Sequence, residues 1–188
     1  MLVALQACGH PQGAPATVGN TSAPARTQIA AAKPTLDACA LITQADADAV
    51  LGASGKRSEH AADDRFTSHC SYESVDSAGG FNGFGVEISS SADAQEAKTG
   101  FGIKQQLYSN YAIYRYELLA DIGDAAFLAV NKTPDEFKRT DMSALIAHQQ
   151  ILVAIRNTEA IDITTSYFGA EKPADAVKAL GRKLAAKF

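Results

Sequence analysis

The sequence predicts an α+β domain over residues 37–188: a single antiparallel sheet of about five or six strands with helices packed on it, preceded by a disordered tether. Three observations lead there. Helix and strand signals come in groups (helix, two strands, helix, a run of strands, helix) rather than in βαβ alternation. Consecutive strands are separated by short turn sequences, which favours antiparallel pairing. Residues 9–36 are rich in Ala, Pro, Gly, Ser and Thr, include Pro11, Pro15, Pro24 and Pro34, and show neither a helical nor a strand period.

Composition bounds the function classes. With 188 residues, one domain plus a tail is the natural count. A net charge of -4 supplies no basic patch for nucleic acid. No run approaches the roughly 20 apolar residues of a membrane-spanning helix. The three cysteines, Cys8, Cys39 and Cys70, are odd in number, so one of them has a separate job.

The first eight residues, Met1-Leu-Val-Ala-Leu-Gln-Ala-Cys8, look like the remnant of a bacterial lipoprotein signal, with Leu5, Ala7 and Cys8 forming the lipobox. Similar proteins are cut before this cysteine, which is then acylated by palmitate-type chains that anchor the protein. Gly9 after the cysteine points to the outer rather than the inner membrane. The flexible segment 9–36 cannot bury enough apolar surface to offset its ordering entropy, and would hold the domain roughly 30 Å from its anchor.

The first helix signal runs from Asp37 to Gly52. Thr43 with Asp46 makes a capping box, Gly52 is a C-terminal stop, and Leu41, Ile42, Val50 and Leu51 are its apolar contacts. A polar loop leads to a strand at 69–75, and a Gly-containing turn leads to a second at 81–88, weakened by Gly83 and Gly85. Ser90 with Asp93 opens the next helix, to about Tyr108, with Ala94, Ala97, Phe101, Ile103 and Leu107 on its apolar side. Gly100 and Gly102 are expected to weaken its middle. Residues 111–119 alternate, with Ala112, Tyr114, Tyr116 and Leu118 on one face. The turn 121–124 enters a strand at 125–130. The stretch 143–150 fits helix or strand equally. Strands at 151–156 and 160–167 flank the turn Asn157-Thr-Glu159. The last helix has Pro173 in its first turn and a stripe of Val177, Leu180, Leu184 and Phe188. Its basic residues read as a solvated face complementing the helix dipole.

Familiar catalytic patterns are absent. Gly55-Lys56 is followed by Arg57 and lacks the earlier glycine of a phosphate loop; Ser54 is not in a nucleophile elbow. The region 79–85 lacks the spacing of a dinucleotide fingerprint. His10, His60, His69 and His148 form no metal-ligand motif, although His60 and His69 with Asp63 or Asp64 would be conceivable ligands. Asp121, Asp124 and Asp162 are candidate acid/base groups, with Asp121 and Asp124 better explained by a turn. An exported protein keeps paired cysteines oxidised. A bridge between Cys39 and Cys70, closing a loop of about 32 residues, is therefore favoured over a reactive thiol, because His69 would point to the other face of the strand from Cys70.

Cys39-Ala-Leu-Ile-Thr43, Val50-Leu-Gly52, Cys70-Ser-Tyr72 and Ile122-Gly-Asp-Ala-Ala-Phe127 together resemble a group of uncharacterised bacterial envelope lipoproteins. In that group a Cys-x-Leu-Ile-Thr helix precedes a Cys-x-Tyr strand and a Gly-Asp-x-Ala turn. The resemblance implies a PsbP-like α+β domain and a disulfide between the matching cysteines. It brings no established activity. The expected function is a non-catalytic, membrane-anchored periplasmic binding or interaction module, using a surface that carries Tyr111, Tyr114, Tyr116 and Tyr167. The alternatives are a small envelope hydrolase or metal-dependent enzyme using His60, His69 or His148, and an inhibitor or immunity-type protein docking another protein. The expected partners are the membrane, through the lipid anchor, and an envelope protein; neither a cofactor nor nucleic acid is expected.

Overall fold

The computed structural model describes residues 37–52, 55–57, 66–75, 81–132, 148–167 and 174–188. It is α+β, with one antiparallel sheet, as the grouping of elements predicts. The helices are α1 (Ala38–Leu41), α2 (Gln44–Leu51), α3 (Ala94–Asn110) and α4 (Asp175–Ala185). The strands are β1 (Lys56–Arg57), β2 (Thr67–Val75), β3 (Phe81–Ser90), β4 (Tyr114–Leu119), β5 (Ala125–Asn131), β6 (His148–Arg156) and β7 (Glu159–Tyr167). The sheet has seven strands in the order β1-β2-β3-β7-β6-β5-β4. The strand beyond the expected count is β1, two residues paired to the outer edge of β2 and too short to show a period. Residues 148–150 of the ambiguous stretch belong to β6; the rest of that stretch, together with Cys8, His10, the tether, His60, Asp63, Asp64 and Pro173, lies outside the described residues.

The connectivity follows from α3. It carries the chain from the end of β3 to the far edge of the sheet, and β4 through β7 meander back until β7 pairs with β3. One face of the sheet packs on α1, α2 and α4, burying Cys70, Tyr72, Val86, Ile88, Leu152 and Ile163 against Val50, Leu51, Val177, Leu180 and Leu184. The other face packs on α3 through Phe101, Phe127, Ala129, Ile151, Val153 and Ile155.

Local chemistry explains most boundaries. The first helical segment is two helices, not one. Asp37 caps α1 by accepting from the Cys39 and Ala40 amides at 2.9 and 3.2 Å, and the capping box of Thr43 and Asp46 starts α2 afresh. Gly52 ends α2 in the left-handed region at φ 66°. Asp93, not Ser90, caps α3, accepting from Gln95 and Glu96 amides at 2.8 Å; Ser90 belongs to β3 and donates to Glu159 at 2.6 Å. The helix runs unbroken through Gly100 and Gly102, where an added Cβ would meet nothing within 4 Å. These glycines lie on its outer side and weaken it without interrupting its buried stripe. That stripe is Ala97 and Phe101; Ile103 and Leu107, expected to pack, are exposed. Leu118 is also exposed, at the sheet edge, and Leu119 is buried instead.

The stripe on α4 packs as expected, and its basic residues form specific ion pairs. Lys178 meets Glu117 at 2.9 Å, Arg182 meets Asp121 at 2.6 Å, and Lys183 binds Asp46. Burial pushes the Asp46 carboxyl up, but the hydrogen bonds from Lys183 and Thr43 outweigh it and leave the group below its ordinary value. Cys39 and Cys70 form a disulfide with their Cα atoms 5.0 Å apart, tying α1 to the middle of β2.

Candidate functional site

Helix α3 lies over β4 to β7, and beside it on the same face the strands β2, β3 and β7 present a groove of about 310 Å³. Its construction can be read from the strand register. His69 stands opposite Glu87, Glu87 opposite Asp162, and Asp162 opposite Val153, which is followed by Phe127 and Leu118. One row of side chains thus crosses the sheet, polar under the groove and apolar under α3. The next row runs Ser71, Gly85, Thr164, Ile151, Ala129 and Tyr116. Side chains alternate between faces along a strand, so these residues all look the same way.

Gly85 forms the floor. A Cβ there would sit 2.9 Å from Nε2 of His69, so the imidazole lies against the strand where a larger residue would displace it. From above, Lys104 on α3 reaches down and donates to Asp162 at 2.6 Å. The Asp162 side chain is 15% exposed, and Lys104 is 40% exposed. Burial raises the Asp162 carboxyl above its ordinary value; Lys104 opposes that shift, and the neighbouring charge of Glu87 adds to it. The carboxylate of Glu87 makes no hydrogen bond or ion pair among the described residues. Leu107, Tyr108 and Ile151 complete an apolar wall.

The raised Asp162 gives a pH dependence whose sign is fixed. Its folded form holds the proton more tightly than the unfolded chain, so its contribution to stability is fully present below the unfolded value of 3.8 and is lost as pH rises through the higher folded value. Lys104→Met removes the opposing influence and raises the folded value further. The variant is expected to match wild type near about pH 4 and to lose about 1 kcal/mol, roughly 2–4 °C in Tm, at about pH 7.5. Thermal melts at the two pH values check this; an equal deficit at both would show that Lys104 stabilises only by packing.

The sequence-derived candidates are dispersed. His69 lines the groove. His148 opens β6 opposite Tyr167, in phase with Leu152 and Ala154, so it projects from the opposite face and cannot join His69 in one site. Asp121 is engaged by Arg182, which holds its carboxyl below the ordinary value. Asp124 accepts from the Asn157 amide at 2.8 Å, and Gly123 beside it adopts φ 61° so that the turn can pass within contact of the Ile155 carbonyl. Neither is near the groove residues in the sheet register. Among the described residues no group of three His, Cys, Asp or Glu side chains is placed to hold a metal ion.

The four tyrosines do not make one surface. Tyr114 and Tyr116 pack beneath α3, Tyr114 edge-on to Tyr108 at 5.4 Å and Tyr116 against Phe127 at 5.3 Å. Burial raises both phenols above their ordinary value. Tyr111 is exposed just past the end of α3. Tyr167 is buried on the opposite face, where its hydroxyl donates to the Val50 carbonyl at 2.9 Å. Sequence reasoning missed Glu87, Lys104 and Thr164. The available signal was phase: Glu87 sits between Val86 and Ile88, and Asp162 between Ile161 and Ile163, each a carboxylate on the reverse of a buried strand.

No protein-family model and no curated protein matches the chain. Among solved structures, the chain is similar to the extracellular domain of PknH from Mycobacterium tuberculosis, with a TM-score of 0.52 and 12% identity, over 82% of this chain and 97% of that one. At that identity the likeness is one of fold. Among the described residues no helix is long and apolar enough to cross a membrane.

Proposed function

We propose that the chain is an exported, non-catalytic module that binds a small molecule in the groove beside α3, held at the bacterial envelope by a lipid anchor on Cys8. The observation that carries the binding reading is the row His69, Glu87 and Asp162, crossing three adjacent strands on the floor of an open groove with Lys104 and an apolar wall above it. Ligand sites characteristically combine an apolar lining with a few convergent polar groups, and this groove lies at the lower end of their size range. A buried disulfide supports an oxidising compartment, and a fold likeness to an extracellular domain is consistent with it. Support for lipidation is the sequence Leu5-Gln-Ala-Cys8 and the Ala/Pro-rich segment after it, matching the resemblance to envelope lipoproteins. A non-catalytic role is favoured because His69 and His148 stand on opposite faces, so the histidines do not pair in one site, and Lys104 and Asp162 are engaged with each other.

The test is an NMR titration of the chain with a small-molecule extract of the bacterial envelope. Amide resonances of Gly85, Glu87, Asp162 and Thr164 are expected to shift in wild type and not in Thr164→Trp, whose indole fills the groove. Unmoved groove resonances in the wild-type protein would defeat the proposal.

A further inference from the structure

Charge balance in the groove points to the chemistry of its occupant. Of the ionisable side chains that line it, Lys104 is already committed to Asp162 at 2.6 Å. Glu87 stands directly opposite Asp162 across paired strands, and like charges in that relation repel. Beside the His69 imidazole, which stands across from Glu87 on β2, one lysine faces two carboxylates, and the carboxylate without an ion-pair partner among the described residues is Glu87, half-buried on the floor. An anion entering here would meet this excess negative charge with the only lysine taken. A cation would complete the set.

The rest of the lining decides what kind of cation. The acidic groups and the imidazole do not converge as a ligand set for a metal ion. The wall opposite Glu87 is hydrocarbon and ring: Ile151 is buried at the base, Tyr108 stands beside it, and Leu107 is 45% exposed at the rim, where an apolar body would cover it. Gly85 leaves room for the His69 imidazole to lie flat against the strand, so a charged head that reaches Glu87 settles beside that ring. A volume of about 310 Å³ limits the occupant to a small molecule.

Building on the groove as a binding site, we propose that its ligand class is a small organic monocation, a primary ammonium carrying a short apolar body, with Glu87 as its counter-ion. The ammonium sits on Glu87, and the body lies along Ile151, Tyr108 and Leu107.

The experiment titrates the 188-residue chain, disulfide intact, with hexylammonium chloride, and in parallel with sodium hexanoate and 1-hexanol, following the amide resonances of Gly85, Glu87, Asp162 and Thr164. Hexylammonium is expected to shift them saturably, with the other two at least about tenfold weaker. Glu87→Gln, which keeps size and removes charge, is expected to weaken hexylammonium binding by about tenfold while leaving the melting temperature unchanged or raised, because it relieves the repulsion with Asp162. Hexanoate or hexanol binding as tightly as hexylammonium, or Glu87→Gln binding it unchanged, would overturn the cation inference while leaving groove binding intact. If neither the three probes nor the envelope extract moves those resonances, both readings fall together.

Discussion

Replacing Phe127 by alanine is expected to destabilise the domain by about 3–5 kcal/mol, lowering Tm by roughly 10 °C or more. Phe127 is fully buried on β5 and is the hub of the smaller core. Its ring lies 5.5 Å from Phe101, 5.7 Å from Tyr108 and 5.3 Å from Tyr116, so the truncation leaves a void with three aromatic walls. Phe101 and Tyr108 are the side chains by which α3 rests on the sheet, and α3 carries Lys104. The variant is therefore expected to loosen the groove as well as the fold, with amide exchange rising in α3 before it rises in β2 and β3. Denaturant unfolding measures the first effect. A loss under about 1 kcal/mol would mean that the aromatic cluster closes over the gap, contrary to the packing described.

Removing the disulfide is expected to rank with it. Cys39→Ala with Cys70→Ala opens a loop of about 32 residues, for which chain entropy gives about 3–4 kcal/mol. Helix α1 has only four residues and cannot hold itself. Its other ties to the sheet include the burial of Ala38 in the core, a hydrogen bond from the Ala38 amide to Ser68 Oγ at 2.9 Å, and one from the Tyr72 hydroxyl to the Ile42 carbonyl at 3.5 Å. Without the bond those ties must hold α1 against β2 alone. Comparative melts of the oxidised protein and the double variant provide the measurement, and coincident transitions would refute the role assigned to the bridge.

How much of this was legible beforehand depended on the range of each interaction. Thr43, Asp46 and Gly52 act within one helix, and they mark the two ends of α2 correctly, although the sequence reading runs α1 into it. The two-residue turn between β6 and β7 is equally local. The stripe of Val177, Leu180 and Leu184 has a period that survives in any environment, and it packs as read. Ile103 and Leu107 show where periodicity misleads: they are apolar and near helical spacing, but the side of α3 that meets the sheet carries Ala97, Phe101 and Tyr108, and Ile103 and Leu107 are turned away from it. Tyr167 shows the same for strands. Alternation told which residues share its face, yet not that this face belonged to α2 and α4 rather than to Tyr114 and Tyr116. The groove was hidden for a stronger reason. His69, Glu87 and Asp162 become neighbours only when β2 pairs with β3 and β3 with β7, and the second pairing joins segments that nothing local connects.

That same β3–β7 pairing bears on how the chain reaches its fold. β2 and β3 are consecutive in sequence and paired, and β4 to β7 each pair with the next strand along the chain, so each block can assemble from nearby segments. The seam between them bridges a long stretch of chain; Ser90 and Glu159, which hydrogen-bond across it, are 69 residues apart. Loop-closure entropy places such contacts late, and topologies that depend on them fold slowly. The floor of the groove is split by this seam, with His69 and Glu87 on one block and Asp162 on the other. The site therefore comes into being only at the last act of folding, so a partly folded chain has no groove to fill.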